Sequence, residues 1–296
     1  MLSAPIKLSS PATHEFWEIP VLFEDEHLLA LAKPWGLPTT ADPHDPDRPN
    51  LMALLHAGIA AGKPWAVQRQ LAYVRNAHRL DAETSGVLLL ARSKPVLTAL
   101  ANRFNTETPN ETCLVVAQGT PAQARFEVSA PIGAHPARPG AMRVSRGQGK
   151  KARTLFEVAE WFRGCALLRC QPLTQRPHQV RVHLQWARLP VAGDTLYGGR
   201  ALLLSRLKPH YRLKGDREER PLLGEARVHV ERIELPHPVT GQPLVIACPW
   251  PRELMVALKY LRRYAAAEPP RPEEPPPDPP ADLDDPDAPD RHEPPR

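Results

Sequence analysis

Between Asn76 and Lys94 the chain reads NAHRLDAETSGVLLLARSK. Val87 to Leu90 is a continuous apolar run with no polar alternation, which reads as a short strand buried inside a sheet. Immediately ahead of it stand a cation, Arg79, a carboxylate, Asp81, two hydroxyls, Thr84 and Ser85, and Gly86. Any fold for this chain has to bury the strand while leaving that polar turn at its entrance. Taken alone, Asp81 equally suits a helix N-cap or an Asx turn, since its short side chain satisfies nearby backbone N–H groups.

The flanking sequence supplies the rest of a sheet. Val21 to Phe23 and Leu28 to Ala32 are apolar runs separated by EDEH, the pattern of two strands joined by a tight turn. LAKPWGLPTT then leaves the sheet at Pro34 and Gly36, and Asn50 is placed to cap a helix whose apolar positions are Leu51, Leu54, Leu55 and Ile59. Lys94 to Glu107 has Val96, Leu97, Leu100 and Phe104 on one helical face. Strands follow at CLVVAQG, RFEVSAPIG, ARTLFEVAEW and CALLRCQPL, and later at HVERIEL and PLVIACP, before a helix over Arg252 to Tyr264. The basic stretch Arg143 to Arg153 reads as an exposed loop, and HQVRVHLQWA (178–187) fits helix or strand equally well. No fixed-period repeat and no Gly-rich phosphate loop is present. The expected class is α+β, with a central mixed, mainly antiparallel sheet.

Charge divides the chain into unequal parts. From Glu268 to Arg296 ten acidic residues face Arg271, Arg291 and Arg296, a net of −7, so the formal +5 of the whole chain leaves +12 on residues 1–267. A basic body of that size suits a polyanion, because neutralising phosphates releases counterions. The segment 268–296, with PPRPEEPPPDPP inside it, is too polar and proline-rich to bury a core and reads as a disordered acidic tail. Residues 1–17 read as an N-terminal extension and 18–267 as the folded domain. No run approaches a membrane span, and the start lacks the pattern of a secretory leader. A cytoplasmic, membrane-free protein, a monomer, is expected. Cys113, Cys165, Cys170 and Cys248 have neither disulfide-framework density nor paired spacing, and read as reduced, buried thiols.

A second cluster, PLTQRPHQVRVHL, brings Arg176, His178, Arg181 and His183 to another element boundary. Arg176 is of the right type to partner a carboxylate in a partly dry cleft. His178 and His183, five residues apart, fall on opposite faces of a strand and about 140° apart on a helix, so zinc ligation is not expected.

The two clusters together resemble the RluA family of pseudouridine synthases. HRLDAETSG (78–86) carries the match most specifically, supported in order by EDEHLLALAKPWGLP (24–38), TQRPHQVRVHL (174–184), VAGDTLYGG (191–199) and LPHPVTGQPL (235–244). The resemblance implies one catalytic domain with a cleft across its sheet and Asp81 as the catalytic carboxylate, with no metal and no organic cofactor. It implies isomerisation of uridine in rRNA or tRNA: breaking the base-to-ribose bond, turning the base and rejoining it through carbon. A carboxylate serves there as nucleophile or as base. About twenty residues precede the first matched segment, so the family's S4-type RNA-binding module is expected to be absent. Arg176 and Arg79 then support the active site, and Lys150, Lys151 and Arg181 are candidates for holding RNA.

Four positions depart from the family pattern. Cys113 stands where a base-stacking tyrosine is usual, Glu111 where a cation is usual, and Gln175 and Pro177 flank Arg176 in place of glycine and threonine. Losing a stacked ring forfeits about 1 to 3 kcal/mol, roughly 5- to 150-fold in rate or affinity. Cys113 and Tyr197 count with Arg176 and Arg79 as active-site support, and Tyr197 or Tyr73 is the ring that would already cover the base if a tyrosine restored at 113 brought no gain. The alternative is a paralogue that binds RNA but isomerises it slowly.

Overall fold

The computed structural model describes residues 3–42, 45–106, 110–212 and 218–270. Apart from its first three residues the expected acidic tail lies outside them. β1 (Ile6–Ser9) and β2 (Phe16–Ile19) form an antiparallel hairpin. β3 (Val21–Glu24) and β4 (Leu28–Lys33) form the next, closed by Asp25, whose Oδ1 accepts the N–H groups of His27 and Leu28 at 2.7 Å each. α1 (Leu51–Ala60) starts at Asn50, whose side chain accepts the N–H of Ala53, and α2 (Pro64–Gln68) follows. β5 (Arg75–Asn76) pairs with β6 (Thr84–Ala91), and α3 (Lys94–Thr106) comes after.

The second half continues through β7 (Asn110–Gln118), β8 (Arg125–Ser129), β9 (Ile132–Ala134), β10 (Met142–Val144), β11 (Arg153–Phe162) and β12 (Cys165–Pro172). Then come α4 (Gln179–Trp186), α5 (Leu204–Leu207), β13 (Val228–Pro236), β14 (Pro243–Ala247) and α6 (Arg252–Tyr264). The main sheet runs β3-β4-β6-β13-β7-β12-β11-β8, with β14 on β13 and β5 on β6. Its one parallel pairing among the described residues is β6 with β13, so the sheet is mixed and mainly antiparallel, as the pattern implied.

All eight residues of β6 are buried, which accounts for its lack of alternation. Strand β7 alternates instead: Leu114 and Val116 pack with Leu254, Leu258 and Leu261 of α6 on one face, while Cys113, Val115 and Ala117 join the main core on the other. Period-two geometry therefore turns Glu111 and Cys113 to the same side. At the close approach of β6 to β13, Gly86 has φ +113°, and a Cβ there would sit 2.1 Å from the carbonyl oxygen of Val230. Only glycine fits that contact.

Two expectations need correction, and one open alternative is decided. Of the N-terminal extension expected over residues 1–17, the described part from residue 3 packs with the domain: Ile6 and Leu8 of β1 are buried in the main core, and a boundary after residue 17 would cut through β2. Arg143 to Arg153 is not all loop, because β10 pairs with β9, Lys150 bridges Ile132, and Arg153 opens β11. Short strands with single apolar contacts gave too little periodic signal there. HQVRVHLQWA resolves as helix from Gln179, with Val180 and Leu184, one turn apart, set into the main core. All four cysteines are free and buried. Among the described residues no helix is long and apolar enough to cross a membrane.

Candidate active site

The polar turn ahead of β6 is held from three directions. From the segment leaving β4, Thr39 Oγ1 donates to the carbonyl of Leu80 at 2.7 Å and accepts its N–H at 2.9 Å, and the Gly36 N–H donates to the carbonyl of Ala82 at 2.9 Å. From β13, the Val228 N–H donates to the carbonyl of Glu83 at 3.1 Å. The Thr84 N–H closes the turn on the carbonyl of Asp81 at 3.1 Å. From α4, the N–H of His178 donates to Asp81 Oδ2 at 3.1 Å. That donor is aimed by an unusual backbone: His178, the N-cap, is left-handed at φ 55°, ψ 19°. A helix N-terminus carries partial positive charge, so the carboxylate sits where an anion is favoured.

Asp81 opens into a cleft of about 150 Å³ walled by Arg79, Thr84, Glu111, Cys113, Gln175, Arg176 and His178, among others. Behind the turn lies Lys33, almost wholly buried, its Nζ donating to the carbonyls of Leu37 at 2.5 Å and Pro34 at 3.0 Å. Burial pulls its pKa down to about 7 against the opposing pull of Asp81 and Glu83. Nothing in the sequence flagged Lys33 beyond its place in LAKPWGLP.

Arg176 lines the same cleft, but its guanidinium donates to the carbonyls of Lys151 at 3.1 Å and Gln175 at 2.9 Å and makes no ion pair with Asp81. The partner that the sequence suggested for the carboxylate is thus replaced by a backbone N–H. Arg79 is exposed at the rim. Cys113 and Glu111 form a unit with Gln175: the thiol donates to Glu111 Oε1 at 3.3 Å and Gln175 Nε2 donates to Oε2 at 3.2 Å. Burial raises the Glu111 pKa despite both bonds, and burial, with Glu111 adding to it, pushes the Cys113 thiol well up. Both effects favour the neutral thiol over the thiolate, the form that nucleophilic attack requires. Three departures that look separate in sequence are one hydrogen-bonded wall.

Tyr197 does not face the cleft. It is buried beside Val182 and Ile132, with the Arg181 guanidinium 4.9 Å from its ring centroid. Its hydroxyl accepts the Met142 N–H at 2.9 Å and shares a hydrogen bond with His178 Nδ1 at 2.7 Å. Tyr197 thus contacts His178 from behind and is not among the residues that line the cleft. Tyr73 is not among the lining residues either, and the only aromatic ring among them is His178. Among the described residues no group of three or more His, Cys, Asp and Glu side chains converges as a metal site would require.

Comparison with known proteins gives these positions a context. Residues 27–186 match the family model described as RNA pseudouridylate synthase. Ribosomal large subunit pseudouridine synthase D of Xylella fastidiosa is 35% identical over 250 residues, and its counterpart in Xanthomonas campestris pv. campestris 33% over 262; each alignment covers 83% of this chain and 70% of the relative. The chain belongs to the RNA pseudouridylate synthase family. The solved human RNA pseudouridylate synthase domain containing 4 shares the fold, with a TM-score of 0.60 at 23% identity over 82% of this chain and 92% of that one. This synthase is accordingly an enzyme that isomerises uridine in RNA.

For a synthase of RNA, the basic residues divide sharply. Lys150 and Lys151 are exposed, the latter joined to the cleft through its carbonyl bond to Arg176. Arg181, expected to hold RNA, is buried. Its Nε and Nη2 grip Asp194 at 2.7 and 2.9 Å, and Nη1 lies 3.2 Å from Glu83. Burial alone would lower its pKa, and Asp194 and Glu83 more than reverse that. A guanidinium so enclosed has no face for a phosphate. On a helix of undetermined facing, sequence could not distinguish inward from outward cations.

Proposed function

We propose that this synthase acts on large-subunit ribosomal RNA as a cytoplasmic monomer, with Asp81 as the carboxylate that attacks or deprotonates the ribose. The observation that carries this reading is the Asp81 side chain held by one backbone N–H at the mouth of a cleft sized for a single base. The names of the curated relatives support the ribosomal substrate.

The target base has to leave its stack to enter, at a cost of a few kcal/mol that is least in a loop. Oδ2 is fixed by His178, which leaves Oδ1 to approach the sugar. Pre-orientation of that kind removes rotational freedom before reaction. The wall of Glu111, Cys113 and Gln175 offers polar contacts to the base edge in place of a stacked ring.

The test is to incubate large-subunit RNA from cells lacking the protein with native chain and with Asp81→Asn, then map pseudouridine by a chemistry specific for the isomer. Native chain should modify a discrete uridine, and Asp81→Asn should lose product entirely while binding the RNA within about twofold of native. Product from the Asn variant would remove Asp81 from the reaction, and no product from the native chain would favour the RNA-binding paralogue.

A further inference from the structure

Trp186 is the last residue of α4 and is 52% exposed. A half-exposed indole is unusual on a soluble surface and enriched where partners dock. Arg146, itself exposed in the turn after β10, lies with its guanidinium carbon 5.8 Å from the indole centroid. From there the basic turn runs through Lys150 to Lys151, whose carbonyl is bonded to Arg176 at the cleft. Helix α4 runs from the cleft to Trp186. His178, holding Asp81, and Trp186 are eight residues apart on α4, a rise of about 12 Å, which is the reach of a few nucleotides.

We propose that Trp186 and Arg146 form a stacking clamp for an unpaired RNA base a few nucleotides from the uridine being modified. The inference rests on RNA being the substrate, and it adds a contact outside the cleft. Stacking is sequence-tolerant because every base has a π-face, and Arg146 contributes both planar contact and charge toward the neighbouring phosphate. The cleft itself, with Cys113 in its wall, lacks a tyrosine or tryptophan platform. An aromatic contact displaced along the strand would supply affinity that the pocket does not.

The probe is a fluorescein-labelled ten-nucleotide oligouridine, bound to Asp81→Asn protein so that turnover does not intrude. Trp186→Ala should weaken binding roughly 5- to 150-fold, Trp186→Phe should stay within about threefold of the parent, and an abasic oligomer of equal length should bind parent and Trp186→Ala alike. Because Trp186→Ala could also disturb α4, a 5-iodouridine oligomer is photocrosslinked to the unaltered chain, and the adduct should map to Trp186. Unchanged oligouridine affinity in Trp186→Ala, equal loss with the abasic probe, or crosslinks confined to the cleft would each overturn the clamp. Product formation by the native chain with no Trp186 effect would sink the clamp alone. A Trp186 effect without product would sink the catalytic reading alone.

Discussion

Replacing Asp194 by asparagine tests whether Arg181 is structural or an RNA contact. The Arg181 side chain is 4% exposed and that of Asp194 1%, and two charge-assisted bonds join them. Neutralising one partner of such a pair leaves an uncompensated charge in the interior, at a cost of about 3–5 kcal/mol. Glu83, 36% exposed and 3.2 Å from Nη1, can take over part of the compensation, but that nitrogen lacks a hydrogen-bond partner even in the native arrangement. The loss should therefore fall near the lower end, about 3 kcal/mol. At about 2–4 °C per kcal/mol for a domain of this size, the melting midpoint should drop by roughly 6–12 °C. Urea unfolding at pH 7 measures the free energy directly. An Arg181→Met, Asp194→Leu double variant should recover most of it, since a well-packed apolar pair can replace a buried ion pair. A phosphate contact predicts something else: RNA affinity in an Arg181→Met variant would lose about one unit of salt slope, with Asp194→Asn nearly as stable as native. That result would refute the burial argument.

Two further outcomes follow from the cleft wall. Glu111 has a folded pKa raised above its ordinary 4.5, so on acidification the native chain takes up this proton before the unfolded chain does. Its burial penalty is present at neutral pH and is relieved as pH falls through the raised value toward 4.5; Glu111→Gln should thus be more stable than native in neutral urea titrations, with the difference shrinking as the pH is lowered through that window. Cys113→Tyr should raise single-turnover rates up to about 150-fold by restoring a stacked ring, since neither Tyr197 nor Tyr73 lines the cleft; a correctly folded variant with no gain would show that the Glu111 and Gln175 contacts already hold the base.

Local signals in the sequence located most of this architecture. The N-cap at Asn50, the apolar run of β6 and the amphipathic α3 and α6 each rest on contacts within a few residues, so periodicity and capping chemistry report them. The Asp81 turn was legible for the same reason, and the cleft gathers it with Arg176 and Arg79. What stayed hidden depends on partners far along the chain. Arg181 meets Asp194 only once α4 has a facing, and Gly86 is required by Val230. The donor for Asp81 is an N–H aimed by a left-handed His178, and main-chain groups leave no mark in residue type. Tyr197 supports the site through His178, a contact that depends on which way its ring turns and is therefore not written in residue type.

Strand β13 enters the sheet late in the chain and lies between β6 and β7, where it joins the half containing β3 and β4 to the half containing β8, β11 and β12. A growing polypeptide that has reached residue 200 already possesses Asp81, His178 and nearly every cleft side chain, yet its two half-sheets share no seam and each ends in open hydrogen-bonding groups. The keystone arrives only with Val228. A chain ending before Val228 would lack the one strand that pairs with both β6 and β7, and the cleft residues on either side would then have no shared sheet to hold their spacing.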